Sequence, residues 1–88
     1  MKIYEIYGFG NFSHSFGWDN GLSFSTPVEI DDNEFTPNDL QFMGRYVNEV
    51  EFNEHGGSRK VCVHVEAYDE NEALIYAKIW ASHYYPEF

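Results

Sequence analysis

The sequence predicts an α+β domain: a four-stranded, largely antiparallel sheet in the element order β-β-α-β-β-α, with a long C-terminal helix packed on one face. Three observations predict it. Residues 46–53 and 60–67 alternate apolar with polar side chains on either side of Gly56-Gly57, residues 70–84 contain neither Gly nor Pro and follow Asp69, and residues 3–9 form a short apolar, β-rich run. The 88 residues suit one compact domain spanning 1–88. A chain of this size buries roughly 60 to 65% of its unfolded surface. Eight Phe, seven Tyr and two Trp must supply much of the core, because each aromatic side chain buries about 150 to 250 Å².

Ile3, Tyr4, Ile6, Tyr7 and Phe9 place apolar groups at both parities, as a central strand covered on both faces would. Residues 10–21 are rich in Gly, Asn, Ser and Asp and read as a loop, with Phe12, Phe16 and Trp18 either folding back on the core or facing a partner. Leu22, Phe24, Val28 and Ile30 share one parity, giving a second strand over 21–30. Pro27 makes it an edge strand or two short pieces, since proline cannot donate to a ladder. Thr36-Pro37-Asn38-Asp39 has the form of a helix start, and a short helix is expected to end near Gly44.

The second half predicts a hairpin. Gly56-Gly57 suits the positive φ angles of a two-residue turn, and that register pairs Phe52 with Val61, Val50 with Val63, Glu51 with Cys62 and Glu49 with His64. Asp69-Glu70-Asn71-Glu72 has the Asp-x-x-Glu form of a helix cap, with acids at the positive end of the helix dipole. The helix is expected from Glu70 to about Tyr84, with a narrow polar stripe at Asn71, Lys78, Ser82 and Tyr85. Its apolar circumference is wider than one sheet contact needs, which leaves room either for the aromatic loop to pack over it, with Trp80 in the core, or for a homodimer or partner contact with Trp80 as the anchor.

Fifteen carboxylates against five basic side chains give a formal charge of -10. This charge repels nucleic acid and anionic lipid and points to a basic protein surface as partner. A lone cysteine, Cys62, admits no internal disulfide and fits a reducing cytoplasm. Nothing near Met1 reads as a signal peptide, and no apolar run approaches a membrane span.

Recognisable chemistry is sparse. His14, His55, His64 and His83 show no Cys-x-x-Cys or His-x-x-x-His framework, and Cys62-x-His64 supplies two ligands on one strand face, half of a metal site. Asp31-Asp32-Asn33-Glu34 lacks the alternating spacing and central glycine of a calcium loop. Gly8-Phe9-Gly10 opens no helix that would hold phosphate, and Cys62 with His64 on an exposed strand has no evident oxyanion donor. The expectation is therefore a non-enzyme without metal or cofactor.

The contact residues expected for a basic partner are Glu49, Glu51 and Glu54 on the hairpin, Asp31, Asp32 and Glu34 in the acidic stretch, and Trp80. Carboxylates at alternate strand positions stand about 6.5 to 7 Å apart, a spacing of the order of successive phosphates, so a ridge of them could act as a DNA mimic. The expected function is a small acidic inhibitor, encoded by a phage or mobile element, of a nuclease or CRISPR effector. The alternatives are an immunity or antitoxin protein masking a basic toxin, and a homo-oligomeric accessory module. In size and charge the chain parallels small acidic phage and plasmid proteins that block such effectors, although no motif ties it to any of them.

Overall fold

The computed structural model describes residues 1–13, 17–31, 33, 41–42 and 44–84, and for residues 11–21 and 41–42 the backbone alone. Among the described residues the strands are β1 (Lys2–Ser13), β2 (Gly17–Phe24), β3 (Val28–Ile30), β4 (Gln41–Phe42), β5 (Arg45–His55) and β6 (Ser58–Ala67), and they precede a helix, α1 (Glu70–Tyr84). The sheet is antiparallel and runs β2-β1-β6-β5-β4, with β3 pairing β1 off this path. The α+β class, the antiparallel sheet and the helix agree with expectation. Strand number and element order do not.

β1 is central, as its two-sided apolar run predicts. It pairs along its length with β6, from Lys2 opposite Ala67 to Asn11 opposite Ser58. Its other edge is shared, with β3 opposite Ile3–Glu5 and β2 opposite residues 8–13. Pro27 divides the expected second strand into these two pieces, and the division reverses their facing. Phe24 lies opposite Gly8 on the helix side, whereas Val28 and Ile30 lie opposite Glu5 and Ile3 on the other face. The loop expected over 10–21 is largely a hairpin, with Asn11 opposite Asp19 and Phe12 opposite Trp18. Backbone pairing overrides the turn-rich composition there. Residues 14–16, including Phe16, fall outside the described residues, as do the side chains of Phe12 and Trp18.

The short helix expected to end near Gly44 is corrected at its C-terminal part. Gln41 and Phe42 are extended and pair with Tyr46 and Arg45, and Gly44 at φ 84° reverses the chain between them. A positive φ is inexpensive for glycine. The proposed helix start at 36–39 lies outside the described residues.

The β5–β6 hairpin turns at Gly56 and Gly57, with φ angles of 57° and 87°. Phe52 opposes Val61 and Glu51 opposes Cys62 as expected. Beyond them the register shifts at Val50, so that Glu49 opposes Val63, Asn48 opposes His64 and Val47 opposes Val65. This corrects the expected pairs of Val50 with Val63 and Glu49 with His64. Val47 and Phe52 both belong on the helix face, yet they are five positions apart. A regular period of two cannot place both there, and one extra residue can. Val50 is accordingly 53% exposed and Val47 fully buried.

α1 spans the predicted residues. Asp69 Oδ1 accepts from the Glu72 backbone N–H at 2.8 Å as an N-cap does, and Glu72 Oε1 reaches back to accept from the Tyr68 N–H, one residue before the cap, at 3.2 Å. Asp69→Ala is expected to lower stability by about 0.5 to 2 kcal/mol, measured by urea denaturation against wild type. Arg45 ties β5 to this helix start: its Nε donates to Glu72 Oε1 at 2.8 Å, and its guanidinium lies 5.0 Å from the Tyr68 ring centroid and 5.6 Å from that of Tyr76.

The core lies between α1 and one sheet face. Ala73, Ala77, Trp80 and Ala81 pack with Tyr4, Ile6, Val47, Val61, Val63, Val65 and Ala67, flanked by Leu22, Phe24 and Tyr76. Three alanines at helical spacing let the helix backbone approach the sheet closely and leave Trp80 to fill the volume. Trp80 is 2% exposed, so the expectation of a partner anchor there is corrected to a core role. Gly8 belongs to the same layer: a Cβ there would stand 2.9 Å from both Phe24 and Val61. No helix of the described residues is long and apolar enough to cross a membrane.

Candidate functional site

The sheet face opposite α1 carries the polar side chains that the core excludes. Strand alternation places Glu5 and Tyr7 of β1 there, with Lys60, Cys62 and His64 of β6 and Asn48 and Glu51 of β5. Pairing sorts them into rows across the strands: Glu5, His64 and Asn48 form one row, and Tyr7, Cys62 and Glu51 the next. His64 Nε2 lies 3.0 Å from Glu5 Oε2, the imidazole donating to the carboxylate. The ligand atoms of Glu5, Cys62 and His64 all lie within 4.8 Å of one another.

This cluster is sheltered although no helix among the described residues covers it. Cys62 is 4% and His64 7% exposed, and the Glu5 side chain retains 30%. Lys60 closes one side, its ammonium 5.3 Å from the Tyr7 ring centroid and 5.9 Å from that of Phe9. Burial pushes the Cys62 thiol up, and the Glu5 charge pushes it further, while the Tyr7 hydroxyl acts in the opposite sense through a hydrogen bond to the sulfur. The Tyr7 phenol is also raised, chiefly by Cys62 and then by Glu5. A thiol held protonated is a poor nucleophile at neutral pH, so these groups do not favour thiolate catalysis. Their sulfur, nitrogen and oxygen donors could hold a metal ion.

Sequence reasoning identified Cys62 and His64 as half a metal site and missed Glu5, which stands 57 and 59 positions away in the chain. Only strand register brings Glu5 to them. The polarity of Glu5 within an otherwise apolar central strand was the available signal.

The acidic contact residues are dispersed. Glu49, Glu51 and Glu54 are exposed, but the shift at Val50 puts Glu49 on the face of Val63 and Glu51 on the face of Cys62. The expected one-face ridge is thereby corrected. Glu54 stands opposite Arg59. Asp31 is exposed beside an open groove of about 490 Å³ lined by Met1, Lys2, Ile3, Glu29 and Ile30, across which Lys2 Nζ lies 3.5 Å from Glu29 Oε1. Asp32 and Glu34 lie outside the described residues. Across residues 45–67 four carboxylates meet three cations, Arg45, Arg59 and Lys60, whereas residues 29–39 hold five carboxylates and no cation.

No family model, curated protein or solved structure matches the chain.

Proposed function

We propose that the chain is a non-enzymatic binding protein that docks on a basic surface of a nucleic-acid-handling protein, such as a nuclease or CRISPR effector, and occupies it in place of nucleic acid. The observation that carries this reading is a local excess of negative charge that the exposed pairing of Lys2 with Glu29 offsets only in part. Five carboxylates fall within residues 29–39 without a cation, and Glu29 and Asp31 at its described end are exposed. Beside a low-dielectric protein body such a concentration attracts Lys and Arg side chains over a range set by ionic strength. The exposed edge of β5 is the second contact zone. β4 pairs only with Arg45 and Tyr46, so from Val47 to His55 this edge carries no strand among the described residues, and Glu51 and Glu54 accompany the exposed side chains of Val50 and Phe52. A phage or mobile-element origin and a cytoplasmic setting belong to the same proposal.

The test is inhibition. Added to a panel of basic nucleases and CRISPR effectors, the protein is expected to block nucleic-acid binding by one of them, with an on-rate that falls steeply as salt rises. Glu29→Gln with Asp31→Asn is expected to slow association by about tenfold or more at low salt while leaving thermal unfolding close to wild type. Inhibition that ignores both salt and these substitutions would overturn the electrostatic reading. Tight capture of one toxin outside nucleic-acid metabolism would replace it with the immunity reading, and self-association alone with the accessory-module one.

A further inference from the structure

We infer that Glu5, Cys62 and His64 form a zinc site with three protein ligands and one position open to water. Cys62 and His64 project from alternate positions of β6, and Glu5 faces His64 from β1, so both ligand-bearing strands lie in the sheet interior. Sites on paired strands hold their geometry better than sites on loops.

The distances suit a small tetrahedral ion. Donors bound at about 2.0 to 2.1 Å stand about 3.3 Å apart along a tetrahedral edge, and a thiolate at about 2.3 Å stands about 3.6 Å from an imidazole nitrogen. His64 Nε2 and Glu5 Oε2 are at 3.0 Å, and the sulfur lies within 4.8 Å of both. Small rotamer adjustments therefore bring the three donors onto one ion, which displaces the proton between imidazole and carboxylate and the Cys62 thiol proton, both released to solvent. The mixed sulfur, nitrogen and oxygen set selects zinc over calcium or magnesium, which take oxygen ligands, and the hard carboxylate disfavours copper(I).

Two further features separate this cluster from an ordinary surface contact. A thiol and an imidazole that are 4% and 7% exposed are held beside a carboxylate in place of the apolar side chains that the middle of a sheet usually carries. The Glu5 side chain is the accessible member, which gives an ion and its fourth ligand a route in. Tyr7 sits beside Cys62 in the adjacent row and is placed to hydrogen-bond the metal-bound sulfur, as outer groups do at metal centres. None of its ligands is among the residues assigned to the docking surface, although Glu51 of that surface stands opposite Cys62.

The test uses full-length protein purified without a polyhistidine tag and titrated with Co²⁺ alone. One equivalent is expected to produce the near-ultraviolet thiolate-to-cobalt absorption and the intense visible bands of tetrahedral coordination, and one equivalent of Zn²⁺ to abolish both. Cys62→Ser is expected to remove the thiolate absorption. Glu5→Gln and His64→Gln are expected to retain it while weakening zinc by at least the roughly 10- to 100-fold that loss of an outer-shell partner costs. Circular dichroism of each variant separates lost ligation from lost folding. Absence of the thiolate band in wild-type protein would overturn the site, as would zinc binding that survives all three substitutions unchanged and so resides elsewhere on the chain.

Discussion

Trp80→Ala is expected to lower stability by about 3 to 5 kcal/mol, the range for deleting a large core side chain. Trp80 is 2% exposed and lies against the sheet valines between Ala77 and Ala81. Alanines on either side cannot swing into the vacated volume, and the strand backbone beneath is pinned by ladder hydrogen bonds, so most of the cavity remains. In a domain of this size each 1 kcal/mol moves Tm by about 4 to 8 °C, so the variant's Tm is expected to fall by about 12 to 40 °C. Ile75→Ala, five positions earlier in the helix at 55% exposure, is the matched control and should change stability by no more than about 0.5 kcal/mol. Urea titration followed by far-ultraviolet circular dichroism, which does not depend on the deleted indole, measures both. If the two variants unfold alike, Trp80 is not a core residue.

The second large effect distinguishes two strand registers. Val47→Ala is expected to cost about 1 to 3 kcal/mol, because Val47 is fully buried opposite Val65 and loses both transfer energy and packing. Val50→Ala, at 53% exposure, is expected to stay within about 0.5 kcal/mol of wild type. An unbroken hairpin register would reverse this order, since it places Val50 against Val63 and turns Val47 away from the helix. The ranking of the two variants in one denaturation series therefore reads the register directly, and a costlier Val50→Ala would show that the strand runs without a shift.

The register also shows which parts of the fold were legible in the sequence. Gly56-Gly57 and Asp69-x-x-Glu72 act through neighbours in the chain, and both the turn and the capped helix start appear where their chemistry places them. Pro27 likewise marked the break between β2 and β3. The extra residue at Val50 answers a requirement set by β6 and α1, that Val47 and Phe52 share a face, and local alternation carries no trace of it. The continuation of β1 to Ser13 and the start of β2 at Gly17 are similarly decided by pairing partners. The candidate site divides in the same way: Cys62-x-His64 is visible on one strand, whereas Glu5 joins it only through the register of β1 with β6.

The position of β6 has a consequence for the order in which the chain assembles. The first strand finds its longest ladder only in residues 58–67, so during synthesis residues 2–13 can pair at first only with β2 and β3 and must wait for residue 67 to complete it. The β5–β6 hairpin closes over two glycines and can form within about 1 to 10 μs of becoming available. Its inner edge then offers the template on which β1 docks, at the entropic cost of closing a loop of more than forty residues. Until that docking, Tyr4 and Ile6 lack the β6 valines and the helix that bury them, and the unclaimed edge of β6 is open to other chains. Assembly of the N-terminal strand is thus the slow and association-prone stage of folding, and the carboxylates that give the finished surface its charge also keep the waiting chains apart.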